Sequence, residues 1–131
     1  MNKPPTLTLA ERPDGDAVVL AAEGIVDVAA APILTDQIRV ILRRRPAALV
    51  VDLTGVNFLA TAGMTVLMEA DRKSEELGIP FRVVASGPVT VRPMQLLGID
   101  DCLAIYPTVS TALDGVSPSD RPTAEAPPPD M

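Results

Sequence analysis

Apolar and polar residues alternate along the start of the chain with the period of two that is typical of β-strands. Residues 6–12 follow this alternation as a half-buried strand does, and residues 17–22 return as a second strand. Between the two runs lies Asp14-Gly15, a dipeptide that supplies the positive φ of a hairpin turn. The pattern therefore predicts an antiparallel pair of strands at the N-terminus.

Further along the chain, segments with helical spacing of apolar residues alternate with short continuous apolar runs. Such runs are typical of strands that are covered on both faces of a sheet. The predicted elements are, in chain order, helix 29–44, strand 49–53, helix 62–77, strand 81–85, helix 88–97, strand 103–106 and helix 108–113. A hairpin followed by this alternation predicts an α/β domain: a mixed sheet with a parallel centre and about four helices.

The connections that lead from strand to helix are expected to share one edge of this sheet. Right-handed crossovers bring together Asp27, a turn over residues 54–61 and Ser86. Sites in open α/β sheets gather at the carboxyl ends of the strands. This edge is therefore the place where the sequence predicts a functional surface.

Length and composition indicate one domain followed by a tail. The chain has 131 residues, of which 47% are hydrophobic but only 2% aromatic, so its core must consist of aliphatic side chains and methionine. Five of the 14 prolines lie in residues 116–131. We therefore predict a domain over residues 1–115 and a disordered, proline-rich tail over residues 116–131.

The charged and reactive residues exclude several functions. Eleven Lys and Arg against 17 Asp and Glu give a net charge of −6, which argues against nucleic-acid binding. Arg43, Arg44 and Arg45 are interpreted as complementing a helix dipole. The chain has no His and a single Cys, so it can form neither a Ser-His-Asp triad nor an internal disulfide. We interpret Cys102 as a small buried hydrophobe, and we expect a cytoplasmic protein without cofactor, metal or membrane insertion.

One junction offers more definite chemistry than the rest of the chain. Residues 47–67 are interpreted as a buried strand, a sharp turn and the start of a helix, with Thr61 at the helix start. A hydroxyl there is either an N-cap, worth about 1 kcal/mol over Ala, or a site that can be phosphorylated. Asp27 and Asp52 have similar alternatives: Asp27 caps the first helix and Asp52 holds the turn through backbone N–H groups, or both give the edge its polarity.

Three stretches of the chain resemble the anti-sigma-factor antagonists, which are small single-domain STAS proteins of bacteria. Residues 24–34 resemble the first turn and helix of that family, and residues 92–100 resemble the segment before its last strand. Residues 51–63, Val-Asp-Leu-Thr-Gly-Val-Asn-Phe-Leu-Ala-Thr-Ala-Gly, resemble the family signature Asp-Leu-Ser-Gly-Val-x-Phe-x-Asp-Ser-Ser-Gly. The resemblance extends from about residue 6 to residue 115.

The resemblance implies a phosphorylation site, although the chain departs from the family pattern there. The serine that is usually phosphorylated is replaced by Ala62, the preceding Asp by Ala60, and the acidic residue of the first turn by Ile25. Thr61 is the only hydroxyl residue between Ala60 and Gly63, and is therefore our candidate acceptor. The partner-binding residues that we expect are Asp27, Asp52, Thr54, Asn57, Ala60, Thr61, Ala62, Gly63 and Met64.

The resemblance also implies a function. It predicts a regulator of transcription that has no catalytic role, binds an anti-sigma factor and so releases a sigma factor. The partner is expected to be a serine/threonine kinase of the histidine-kinase-like ATPase type, and phosphate on Thr61 would release it. The alternative is a constitutive STAS interaction module or scaffold, for example a subunit of a lipid transporter. Whether the protein forms a homodimer stays open, and a small enzyme or nucleotide-binding protein is disfavoured because no Gly-rich phosphate loop or metal cluster is present.

Overall fold

The N-terminal hairpin is formed as the alternation predicts, and it is longer than predicted. A computed structural model describes residues 7–114. Strand β1, Leu7–Asp14, pairs antiparallel with β2, Ala17–Val26, from Leu7 opposite Gly24 to Asp14 opposite Ala17. Gly15 in the turn has a φ of 60°, the conformation that glycine adopts without strain.

The remaining elements alternate between helices and strands. In chain order they are α1 Ala31–Arg43, β3 Leu49–Leu59, α2 Thr61–Leu77, β4 Phe81–Val84, α3 Val91–Leu96, a 3₁₀ turn Ile99–Asp101, β5 Ile105–Tyr106 and α4 Val109–Asp114. The five strands form one sheet in the order β1-β2-β3-β4-β5, and every pair after the hairpin is parallel. The prediction of a mixed α/β sheet with four helices is thus confirmed.

Helices cover both faces of the sheet, unequally. The larger core packs α1 and α2 on one face, with Leu34 and Leu67 fully buried against Val51. A smaller cluster on the other face joins Val50 to Ala112 of α4. Thr108 caps α4, because its Oγ1 accepts a hydrogen bond of 3.1 Å from the N–H of Thr111.

The predicted turn over residues 54–61 is wrong, because strand β3 continues to Leu59. The strand stays paired with β2, but its register shifts twice. The first shift lies between the pairs Ala21–Asp52 and Glu23–Gly55, and the second lies just before Phe58. Each is a β-bulge that inserts one extra residue into β3. Because of the extra residues, the side chains of Leu53, Val56 and Leu59 all point toward the core, where they are buried. Gly55 therefore lies inside the strand, paired with Glu23 just after the first bulge, although the sequence suggested a turn.

Two single residues also differ from expectation. Cys102 is exposed, because it follows the 3₁₀ turn and lies between the inward-facing Ile99 and Leu103. Ile33 follows the helical spacing of apolar residues in the predicted helix 29–44 and should be buried with them, but it is 50% exposed, since the buried stripe of α1 runs through Leu34 and Ile38.

The predicted tail over residues 116–131 lies outside the described residues. Within residues 7–114, no helix is long and apolar enough to cross a membrane.

Candidate partner-binding site

The start of α2 lies at the carboxyl end of β3, one residue after the strand ends. Ala60 is the N-cap, with extended backbone angles (φ −81°, ψ 166°), and Thr61 is the first helical residue. Of the two alternatives for Thr61, the N-cap is therefore wrong. Because β3 runs to Leu59, the single residue left between strand and helix takes the cap position, and alanine has no side-chain acceptor for the helix N–H groups.

Backbone hydrogen bonds hold this junction in place. The N–H of Ala60 donates to the carbonyl of Val26 at the end of β2, at 2.9 Å, so the start of α2 is tied to the neighbouring strand. The N–H groups of Gly63 and Met64 both donate to the carbonyl of Ala60, at 2.9 and 3.1 Å. Within residues 7–114, the N–H groups of Thr61 and Ala62 have no acceptor, as is usual at a helix N-terminus.

Thr61 is exposed at this junction, whereas its neighbour Ala62 is half-buried. The Thr61 carbonyl accepts a hydrogen bond of 3.1 Å from the hydroxyl of Thr65, one turn further along α2. The Thr61 hydroxyl itself has no partner among the described residues. Thr61 therefore has an accessible hydroxyl beside two free N–H groups, at the end of a helix where negative charge is favoured.

Gly63 and Met64, the next residues of α2, are buried beneath the site. Gly63 is buried, and a Cβ added there would lie 2.6 Å from Val26 Cγ1 and 2.9 Å from Leu59 Cδ1. Met64 is only 3% exposed and belongs to the core. The expectation that these two residues contact a partner is corrected: the apolar face of α2 turns both toward the sheet.

Asp27 lies in the loop that follows β2, beside the start of α2. Its Oδ1 accepts a hydrogen bond of 3.0 Å from the N–H of Ala30, and its carbonyl accepts from both Ala30 and Ala31. These bonds order the turn that leads into α1. Capping of α1, one of the two alternatives for Asp27, is wrong, because the N-cap of that helix is Ala30, three residues later.

Asp52 and Thr54 lie away from the junction, because β3 continues for seven residues beyond Asp52. Oδ1 of Asp52 accepts hydrogen bonds from the N–H of Thr54 at 3.0 Å and from its hydroxyl at 2.8 Å. Asp52 does bond a backbone N–H as expected, but it braces a bulge inside the strand rather than a turn at the edge. Asn57, closer to the strand end, is exposed.

Exposed apolar side chains, which the sequence did not identify as contact residues, lie in the segments at the carboxyl ends of the strands, the same end of the sheet as Thr61. Val28 follows β2, Phe58 is the penultimate residue of β3, Ile33 lies in the first turn of α1, and Val89 follows β4. Their exposed fractions are 75%, 54%, 50% and 46%. Apolar periodicity predicts which residues are buried. It places Ile33 on the buried side of α1 and gives no signal for the other three, so only the fold could reveal all four as exposed.

The same segments carry almost no charge. In residues 25–35, 56–68 and 85–91, Asp27 is the only ionisable side chain. We call this surface the carboxyl edge, defined by Asp27, Val28, Ile33, Phe58, Thr61 and Val89. Within residues 7–114, no group of three or more His, Cys, Asp or Glu is placed to hold a metal ion. Exposed apolar side chains around hydroxyl groups are typical of protein-binding surfaces.

The fold and the carboxyl edge together define a small α/β interaction domain. The STAS domain profile matches residues 9–112, and the chain belongs to the STAS domain family.

Among characterised relatives, the chain is 35% identical to the anti-sigma-F factor antagonist RsfB of Mycobacterium tuberculosis over 118 residues, covering 88% of this chain and 94% of RsfB. It is 27% identical to the anti-sigma-F factor antagonist RsfA of the same organism, covering 74% and 77% of the two chains. The crystal structure of an anti-sigma factor antagonist from Mycobacterium paratuberculosis superposes with a TM-score of 0.79 at 35% identity, over 88% of this chain and 98% of that one.

Proposed function

We propose that this protein is an anti-sigma-factor antagonist, whose unmodified form binds an anti-sigma factor and thereby releases a sigma factor. The proposal is supported by the 35% identity to RsfB, which extends over nearly the whole of both chains. In this role the protein is a cytoplasmic binding partner and a substrate, and it catalyses no reaction itself. The observation that carries the mechanism is the exposed hydroxyl of Thr61 within an apolar and nearly uncharged surface.

The anti-sigma factor is proposed to be a serine/threonine kinase that modifies the surface to which it binds. In that reaction the Thr61 oxygen attacks the γ-phosphorus of ATP bound by the kinase, the hydroxyl proton is lost, and ADP leaves. The product carries a charge of about −1.5 to −2 at neutral pH. The free N–H groups of Thr61 and Ala62 and the helix dipole accommodate this charge, so the modified domain stays folded.

The same charge opposes binding of the partner. Docking removes the carboxyl edge from water, and its exposed apolar side chains, Val28, Phe58 and Val89, offer the phosphate no counter-charge. Burying an ion costs several kcal/mol, and the N–H groups at the helix start offset only part of that cost. We expect even a single negative charge at position 61 to weaken binding by about 2 kcal/mol, or roughly 30-fold.

The test compares three variants in binding to an anti-sigma kinase recovered by pull-down from the source organism. Thr61→Glu is expected to bind roughly 30-fold more weakly than the wild type. Thr61→Ala is expected to bind normally but to gain no phosphoryl group on incubation with the kinase and ATP, as measured by intact mass. Val40→Glu adds the same charge at an exposed position near the C-terminal end of α1, away from the edge, and serves as the matched control.

If Thr61→Glu binds as tightly as Val40→Glu, charge-driven release is refuted. If no anti-sigma factor is recovered and a transporter ATPase is captured in its place, the antagonist function itself is refuted.

A second function is favoured by Ala62, which has no hydroxyl at the usual acceptor position. In this alternative the domain is a constitutive interaction module that uses the same carboxyl edge without phosphate control. The kinase incubation separates the two functions, because the constitutive module gains no mass with a kinase to which it binds.

A further inference from the structure

A second surface lies between α1 and α2, where a groove of about 720 Å³ is lined by both helices. Its floor consists of buried apolar residues, Ile38 and Leu42 from α1 and Val66 and Ala70 from α2. Its walls carry five cations and a single carboxylate. The cations are Arg39, Arg43, Arg45, Arg72 and Lys73, and the carboxylate is Glu69.

The local charge of this surface, which we call the basic groove, opposes that of the whole protein. The groove has a net charge of +4, whereas the chain has a net charge of −6. Among the described residues, only Lys73 of its five cations forms an ion pair, a long one of 3.9 Å with Glu76. Four arginine side chains therefore converge on the groove with no carboxylate bound to them.

The three consecutive arginines at the end of α1 do not act alike. Arg44 turns to the opposite side and forms an ion pair of 2.7 Å with Glu11 of β1. Arg43 and Arg45 instead line the groove. A helix dipole accounts for a cation in the last turn of a helix, such as Arg43. It does not account for Arg72, since the last turn of α2 contains no basic residue and the effect fades within one turn.

The backbone of Arg45 is strained. Arg45 has a φ of 55° and is the one residue other than glycine with positive φ in the described chain. The left-handed conformation costs an ordinary residue about 1–2 kcal/mol, and glycine is favoured at this position after a helix. Strain of this kind, held at a residue whose side chain lines a groove, points to a function for that side chain.

We propose that the basic groove binds an acidic amphipathic helix of a partner protein. The groove follows about three turns of α1 and α2, from Thr35 to Arg45 and from Val66 to Leu77, which is the shape that helix-in-groove recognition uses. Carboxylates on the two flanks of such a helix would meet the planar guanidinium groups, which bind carboxylates in bidentate geometry. A narrow apolar stripe between those flanks would face the floor.

The exposure of the walls favours a helix over a small phosphorylated ligand. All five cations are exposed, so the groove is open along its length. Pockets for small molecules usually bury most of their ligand, which this groove could not do. An extended segment gains from an open groove, because each turn adds a further charge pair.

The proposal is independent of the antagonist function, since the cations of the basic groove lie in the later turns of α1 and α2, whereas the carboxyl edge lies at the start of both helices. The probe is a fluorescein-labelled synthetic helix of about five turns, with a leucine stripe flanked by glutamates, titrated with the full chain and followed by anisotropy. We expect saturable binding that weakens as salt is added. Arg39→Gln and Arg72→Gln should each weaken it by about fivefold, which corresponds to about 1 kcal/mol.

Arg45→Gly gives the sharpest comparison, because it removes a cation and also relieves the backbone. It should weaken binding while leaving the protein as stable as the wild type or more stable. Arg44→Gln removes a neighbouring charge that does not face the groove, and should leave binding unchanged.

The proposal is overturned if the wild type does not bind the acidic helix, if Arg44→Gln weakens binding as much as Arg39→Gln, or if a lysine-flanked helix binds equally well. The proposal is also overturned if inorganic tripolyphosphate binds at lower concentrations than the acidic helix and displaces it. That result would assign the groove to a small phosphate ligand.

Discussion

Replacing Gly63 by alanine tests how closely α2 packs on the sheet. The new Cβ would lie 2.6 Å from Val26 Cγ1, 2.9 Å from Leu59 Cδ1 and 3.1 Å from the Val26 carbonyl oxygen. Carbon atoms normally approach to about 3.5–4.0 Å, and both neighbouring side chains are buried, so α2 or β2 must shift. Overpacking of this kind costs about 1–3 kcal/mol, and the higher helix propensity of alanine offsets up to about 1 kcal/mol. We expect a net loss of about 1–2 kcal/mol.

The loss is measured by urea unfolding, in which the midpoint should fall while the slope stays constant. Gly78→Ala is the control, since Gly78 ends α2 with a φ of 73° and has no neighbouring atom within 4 Å of a Cβ. That substitution should cost about 1 kcal/mol through backbone strain alone, and should leave partner binding intact. Gly63→Ala should weaken both stability and binding. A Gly63→Ala protein as stable as the wild type would refute the conclusion that this close approach fixes the carboxyl edge.

Three further substitutions test individual interactions. Burial, together with repulsion from Glu75, raises the pKa of Asp71 above 3.8. Because the folded state then holds the proton more tightly, stability is lost as the pH rises from 3.8 through the folded pKa. Asp71→Asn should therefore raise the melting temperature at pH 7 but not at pH 3, and an equal rise at both pH values would refute this. Ser74 is fully buried and its Oγ has no hydrogen-bond partner among the described residues, so Ser74→Ala should stabilise the protein to urea by about 0.5–2 kcal/mol, whereas a loss would indicate an unseen partner. Asp52→Ala removes both bonds to the exposed Thr54 and should cost about 0.5–1.5 kcal/mol in the same measurement; no change would show that the bulge holds without them.

The arrangement of strands and helices could be predicted because it depends on burial. Alternation in residues 6–12 and the apolar run of residues 49–53 reflect which side chains leave water, and this dominates the choice of element. The end of β3 could not be predicted in the same way. Gly55 and Asn57 are typical of turns, but here both lie within a bulged strand: Gly55 pairs with Glu23, and Asn57 is the extra residue before Phe58. Only pairing with β2 decides between a turn and a bulged strand.

The candidate site likewise has a part that the sequence predicts and a part that it does not. The position of Thr61 at the start of a helix, next to the end of a strand, follows from local sequence, and it is the position that the structure gives to it. The shift of the cap from Thr61 to Ala60 follows from the extra length of β3, which depends on contacts with a strand far away in the sequence. The exposed Val28, Phe58 and Val89 come from three separate segments, which only the fold brings to the same edge of the sheet.

The two surfaces on α1 and α2 should act independently of each other, because of the distance between them. Thr61 and Arg72 are eleven residues apart on one helix, which at 1.5 Å per residue places them about 16 Å apart along its axis. Electrostatic interactions across solvent are screened over about 8 Å at physiological ionic strength. A phosphate on Thr61 would therefore abolish docking at the uncharged carboxyl edge but leave the affinity of the basic groove for an acidic helix nearly unchanged. Measured with Thr61→Glu, this difference should persist at physiological salt and shrink at low salt, where screening extends over about 30 Å and the added charge reaches the arginines.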